Sequence, residues 1–165
     1  MRALIGFPIL FLTAILQSAL FSRLSLLHGH ADLMLIVLAI WATHPRVLHA
    51  WEWTLLGALL TAFLSAFPWA LIFLTYLVPT ALARTLRSVL RSHLLNALLV
   101  ISAGTGWMGI MGWLYLFTVQ ASASPLLIAG EILSPGLLMN LLLTLPTFVL
   151  LRRIIDWTYP GEEHE

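Results

Sequence analysis

The chain contains no cysteine and no lysine. The first absence excludes disulfide stapling, cysteine nucleophiles, iron–sulfur clusters and cysteine-based zinc sites. The second excludes a Schiff-base lysine and a phosphate-loop lysine. Charge of either sign is scarce: only 9% of the 165 residues are charged, against about 25% in ordinary soluble domains. A water-facing surface of this size needs about 25–35% charged residues, so a soluble monomer is excluded. The net charge of +1 gives no broad basic field, and nucleic acid is not an expected partner.

What is present is hydrocarbon. Apolar residues make up 61% of the chain, the mean hydropathy is +0.99, and seven tryptophans suit a protein anchored at membrane interfaces. Crossing about 30 Å of hydrocarbon takes roughly 20 apolar residues as helix. Six apolar runs stand out, at about 3–21, 33–43, 53–66, 69–83, 94–119 and 126–151. They are too continuous for the alternation of a membrane β-barrel. The expected fold is therefore an all-α, polytopic membrane protein of about six transmembrane helices. It forms one integral membrane domain over residues 1–165, with a short cytoplasmic tail at 152–165.

The breaks between runs have recognisable chemistry. Residues 22–32 form a polar connection ending at Asp32, a suitable N-cap for the second run. His44-Pro45-Arg46 stops that run, because proline lacks a donor and disfavours helix in the residue before it. Phe67-Pro68-Trp69 implies either a tight hairpin or one kinked helix. Residues 84–93 read as a loop or helix end at the surface. With six spans and the N-terminus inside, seven arginines are cytoplasmic (Arg2, Arg46, Arg84, Arg87, Arg91, Arg152, Arg153) and only Arg23 is outside. A five-span count divides them less unevenly, so six spans with both termini cytoplasmic is the expected topology. The first run, behind Arg2, is read as a retained span because no clear A-x-A cleavage signal follows it.

Few side chains suggest chemistry. His28-Gly29-His30 with Asp32 offers two metal ligands and a doubtful third, so a solvated loop is the expectation. Ser25, His28 and Asp32 have no nucleophile elbow with them, and a triad is defined by geometry. Arg84, Arg87 and Arg91 recur at helical spacing and are expected on one cytoplasmic face, as are Arg152 and Arg153 near the end. Glu131 falls near the outer start of the last run, where an acid is costly unless it reaches the headgroups. Asn140 lies nearer the middle of that run, bracketed by Pro135 and Pro146. Its amide must find a partner on a neighbouring helix, and the prolines free backbone carbonyls and bend the span. Small residues at intervals of four (Gly57, Thr61 and Ser65; Ser102 and Gly106; Thr105 and Gly109) provide faces for close helix packing or for a partner's helix. No catalytic residue, cofactor site or metal set is assembled.

Two patches carry a resemblance. Leu16-Gln17-Ser18-Ala19-Leu20 closes the first run, and a short loop leads to Ala31-Asp32-Leu33-Met34-Leu35. At the far end stand Pro135-Gly136-Leu137-Leu138-Met139-Asn140, then Leu145-Pro146, closing on Arg152-Arg153. Together they resemble the rod shape-determining protein MreD family, with its Pro-Asp-Leu opening of the second span and its proline–asparagine–proline last helix. Ala31 departs from the family's usual proline. The resemblance implies a non-enzymatic subunit of the bacterial elongation machinery in the inner membrane. It also implies a fold similar to the substrate-binding subunits of energy-coupling-factor transporters. The implied partners are the bitopic MreC and, through the complex, the actin-like MreB and the peptidoglycan synthase pair. The rival expectation is a small-molecule-binding membrane subunit of a transporter. Its mark is a polar-lined cavity open to the outside, built from Gln17, His28, His30 and Glu131.

Overall fold

The computed structural model describes residues 3–21, 25, 26, 29–120 and 128–158. Within them the chain forms six α-helices: α1 (Ala3–Leu16), α2 (Leu33–Thr43), α3 (Ala50–Leu64), α4 (Trp69–Val89), α5 (His93–Gln120) and α6 (Ser134–Thr158). Short π-helical turns extend α1 (Gln17–Phe21) and precede α6 (Ile128–Leu133). A minimal hairpin of Ser25–Leu26 and Gly29–His30 lies between α1 and α2. Three helical stretches are long and apolar enough to cross a membrane: Trp69–Val89, His93–Val119 and Ala129–Thr158.

All eleven residues of α2 are buried, and it packs against each of the other five helices. A helix apolar all round belongs in the middle of a bundle, and α2 is that middle. At 1.5 Å per residue it is only about 16 Å long. The other helices bury one side. In α6, Asn140, Thr144, Leu151 and Ile155 face inward, while Leu138, Leu142, Leu145 and Val149 are exposed. Exposed apolar surface spread over every outer helix is what lipid contact requires.

Helix ends differ from the apolar runs where arginine begins. The fourth run ends at about 83, yet α4 continues through Arg84 and Arg87 to Val89. The sixth ends at 151, yet α6 carries Arg152 and Arg153 and stops only at Thr158. Arginine is a good helix former whose stem lies along apolar surface, so loss of hydropathy does not end a helix. Arg91, beyond the end of α4, does not share a helix face with Arg84 and Arg87. The last α-helix also starts later than its run, because the π-helical turn occupies Ile128–Leu133. By contrast α3 begins before the third run, at Ala50, with Glu52 favourably placed in its first turn.

Phe67-Pro68-Trp69 is a hairpin. α3 stops at Leu64, Ser65 is extended, and Pro68 precedes the first turn of α4. The Phe63 and Trp69 rings then meet edge-on at 5.4 Å.

The two ends of the bundle are chemically distinct. At one end Arg46 pairs with Asp156 at 3.2 Å, Arg84 donates to the Leu48 carbonyl at 3.2 Å, and Arg87 donates to the His44 carbonyl at 3.3 Å. These bonds tie the α2–α3 connection to α4 and α6. The opposite end holds the hairpin, the 65–68 turn and both π-helical turns. There Gly29 sits so close to α6 that a Cβ atom would lie 2.5 Å from the Gly136 nitrogen and 2.6 Å from the Ile132 carbonyl oxygen. Only glycine permits that approach.

Candidate functional site

The N-terminus of α2 opens inside the bundle, where its free N–H groups have no water to satisfy them. Side chains from distant parts of the chain do so instead. Leu35 N–H donates to Asp32 Oδ1 at 2.9 Å, the N-cap bond the sequence predicts. Met34 N–H donates to Gln17 Oε1 at 2.8 Å. Asp32 N–H donates to Asn140 Oδ1 at 2.8 Å, across 108 residues of chain. The Asn140 amide donates in turn to Thr105 Oγ1 at 2.9 Å, and the Tyr76 hydroxyl donates to Asp32 Oδ2 at 2.9 Å. One buried polar cluster therefore joins the π-helical turn after α1 to α2, α4, α5 and α6.

This assigns Asn140 a role more specific than its position alone gives. The amide finds its partners within the chain, on the α2 cap and on α5. Pro135 and Pro146 do different things. Pro135 is the second residue of α6, in the first turn, where a missing N–H costs little. Pro146 lies inside the helix. Ser134, just before Pro135, donates to the Gly130 carbonyl at 2.7 Å.

The small residues separate into close and open positions. A Cβ on Gly57 would lie 3.0 Å from Leu38 Cδ1 and 3.1 Å from Met34 Sδ, so α3 rests directly on α2 there. Thr61, a turn later, bonds its own helix at the Gly57 carbonyl. A Cβ on Gly109 would meet Leu133 Cδ1 at 2.7 Å, whereas Gly106 has nothing within 4 Å. Gly106 is therefore not a point of close approach within the bundle. Gly104 is, with Leu35 and Pro79 side chains each 3.0 Å from a Cβ position. No small residue four positions away, where Val100 and Met108 stand, marks it in the sequence.

A cavity of about 400 Å³ opens beside the polar cluster, at the hairpin end. Gln17, Asp32, Tyr76 and Asn140 form its polar floor, and Leu71, Met108, Trp113 and Leu133 are among its apolar walls. A second hollow of about 320 Å³ shares Gln17, His30, Thr61 and Ser65 with it. Gln17 and His30 thus fall where a binding cavity was expected to have them. Glu131 is exposed and is not among the lining residues, and His28 lies outside the described residues. No cluster of three metal-ligating side chains occurs among the described residues, and Asp32 is engaged in capping.

At the arginine end, His44 closes α2 and stacks near His93, ring centroids 5.6 Å apart. Burial, reinforced by the His93 ring, lowers the His44 pKa to about 4.

Compared with family models, curated proteins and solved structures, the chain matches none.

Proposed function

We propose that this chain is a non-catalytic scaffold subunit of the bacterial cell-elongation machinery, resident in the inner membrane and binding an MreC-like bitopic protein. In this reading it crosses the bilayer six times, the hairpin completing the pass of the short α2, with both termini and the arginine end in the cytoplasm. The observation that carries the reading is the Asp32–Asn140 bond. The two patches that resemble the MreD family, one at each end of the chain, meet at that bond, and Gln17 of the first patch completes the same cap. Gln17, Asp32 and Asn140, three residues of the resemblance, thus share one architectural task. The buried acid is committed to holding helices together, which suits a scaffold.

The test is purification of the tagged chain in mild detergent with identification of what accompanies it. A single-span protein with a periplasmic coiled coil is the expected companion, and deletion in a rod-shaped host should give rounded cells. Normal rods without the protein would reject the proposal. The cavity favours a second reading, a ligand-binding subunit of a transporter. Its mark in the same purification is a tightly held vitamin-sized molecule.

A further inference from the structure

The larger hollow at the hairpin end is a crevice with two chemistries. The larger lobe runs between α4, α5 and α6, and its walls are apolar and compliant: Leu71, Met108, Met111, Trp113, Leu116 and Leu133. Methionines adapt their shape to what they enclose, and Gly112 adds an open stretch of wall, with nothing within 4 Å of a Cβ position. The shared rim carries Gln17, His30, Thr61 and Ser65, which are hydrogen-bonding side chains without permanent charge. Arg46, Arg84, Arg87, Arg91, Arg152 and Arg153 lie toward the other end of the bundle, so among the described residues no permanent cation lines this crevice. The one carboxylate on the floor, Asp32, already accepts from Leu35 N–H and the Tyr76 hydroxyl.

We propose that this crevice binds one uncharged amphipathic molecule, its apolar chain or ring in the α4–α5–α6 lobe and its hydroxyl- or amide-bearing end at the Gln17–His30–Thr61–Ser65 rim. The volume is that of a small-molecule pocket, a few hundred Å³ with few polar groups fixing orientation. An anionic head meets the Asp32 carboxylate with no compensating cation among the described lining residues. A cationic head must shed its own water to reach a carboxylate that Leu35 N–H and the Tyr76 hydroxyl already stabilise. A neutral head exchanges hydrogen bonds with the rim at little cost. Such a molecule comes either from the bilayer, as a neutral lipid, or from the aqueous side. The proposal rests on the crevice alone and holds for a scaffold or a transporter subunit.

The test uses the full chain in mild detergent and native mass spectrometry, with three probes of one chain length: monoolein, oleate and oleylamine. Monoolein should bind as a single saturable copy, about tenfold tighter than either charged probe. Gly112→Leu places a side chain in the open lobe and should weaken monoolein by about tenfold or more. Gly106→Leu, also in open space but outside the crevice, should leave binding unchanged. If Gly112→Leu is not monodisperse, His30→Ala serves in its place, with an expected loss of about two- to tenfold for one rim hydrogen bond. Solvent extraction of the protein as purified separates the sources. A stoichiometric neutral lipid indicates the bilayer, and an empty protein that takes up monoolein indicates the aqueous side. Non-saturable binding, equal binding of a charged probe, or full binding by the variants would overturn the proposal. Loss of the bitopic partner with monoolein binding intact would count against the scaffold reading only.

Discussion

Asn140 and Asp32 are worth considering together, since each satisfies a group the other element cannot. Asn140→Leu keeps the branching and heavy-atom count of the side chain but leaves Asp32 N–H without its acceptor, and an orphaned buried donor costs about 1–3 kcal/mol. Thermal unfolding in mild detergent should show that loss, while Leu142→Ile on the exposed face of the same helix should not. Asp32→Ala should cost a similar amount, about 0.5–2 kcal/mol for the cap alone, and Asp32→Asn distinctly less, because asparagine caps as well as aspartate. Equal losses for the two Asp32 variants would mean the cap bond is not what the residue supplies. The cap at Asp32 and the need of Asn140 for a partner were both legible in the sequence. Their bond to each other was not, because nothing local relates positions 32 and 140. Tyr76 carries no signal and Thr105 only that of a small packing residue beside Gly109: a hydroxyl inside an apolar run looks the same whether it bonds its own helix or reaches across the bundle.

Among the elements, α2 could be read residue for residue, since Asp32 and Pro45 bound it sharply. The others could be read only as far as their hydropathy, which fails at Arg84 and Arg152 where the helix goes on. Packing faces were legible in part. Gly57 and Gly106 look alike in sequence, but only Gly57 touches a neighbour. Gly57→Leu should therefore overpack the α2–α3 contact at about 1–3 kcal/mol, and Gly106→Leu should be tolerated. The yield of monodisperse protein measures both, and comparable losses would contradict this geometry. The α2–α3 connection should also respond to acid. His44 is neutral in the fold because its pKa is depressed to about 4, whereas the unfolded residue titrates near 6.5. The unfolded state then binds more protons between those values, so stability is complete above about pH 6.5 and declines as pH falls toward 4. The charges felt there include His93, Arg46, Arg152 and Asp156. Tm recorded from pH 7 to pH 5 should fall less steeply for His44→Gln than for the natural chain.

On the scale of the whole molecule, the gathering of all six described arginines away from the hairpin end predicts which surfaces face which compartment. The absence of cysteine allows single cysteines to be placed without background. Ala66→Cys, in the exposed turn between α3 and α4, should react with an impermeant reagent in intact cells. Ser92→Cys, between α4 and α5, should react only after lysis. The reverse pattern would invert the proposed orientation. The burial of α2 also bears on how the protein is made. Its N-terminus is closed by a residue 108 positions later, and at ribosomal rates of about 5–20 residues per second that partner emerges roughly 5–20 s afterwards. Through that interval the nascent α2 is too short to lodge in lipid as an independent span and has an open end. A chain halted after Gln120 should therefore be degraded by the membrane's quality-control proteases, and one extended through Thr158 should survive. The last helix to arrive acts as the latch on the second.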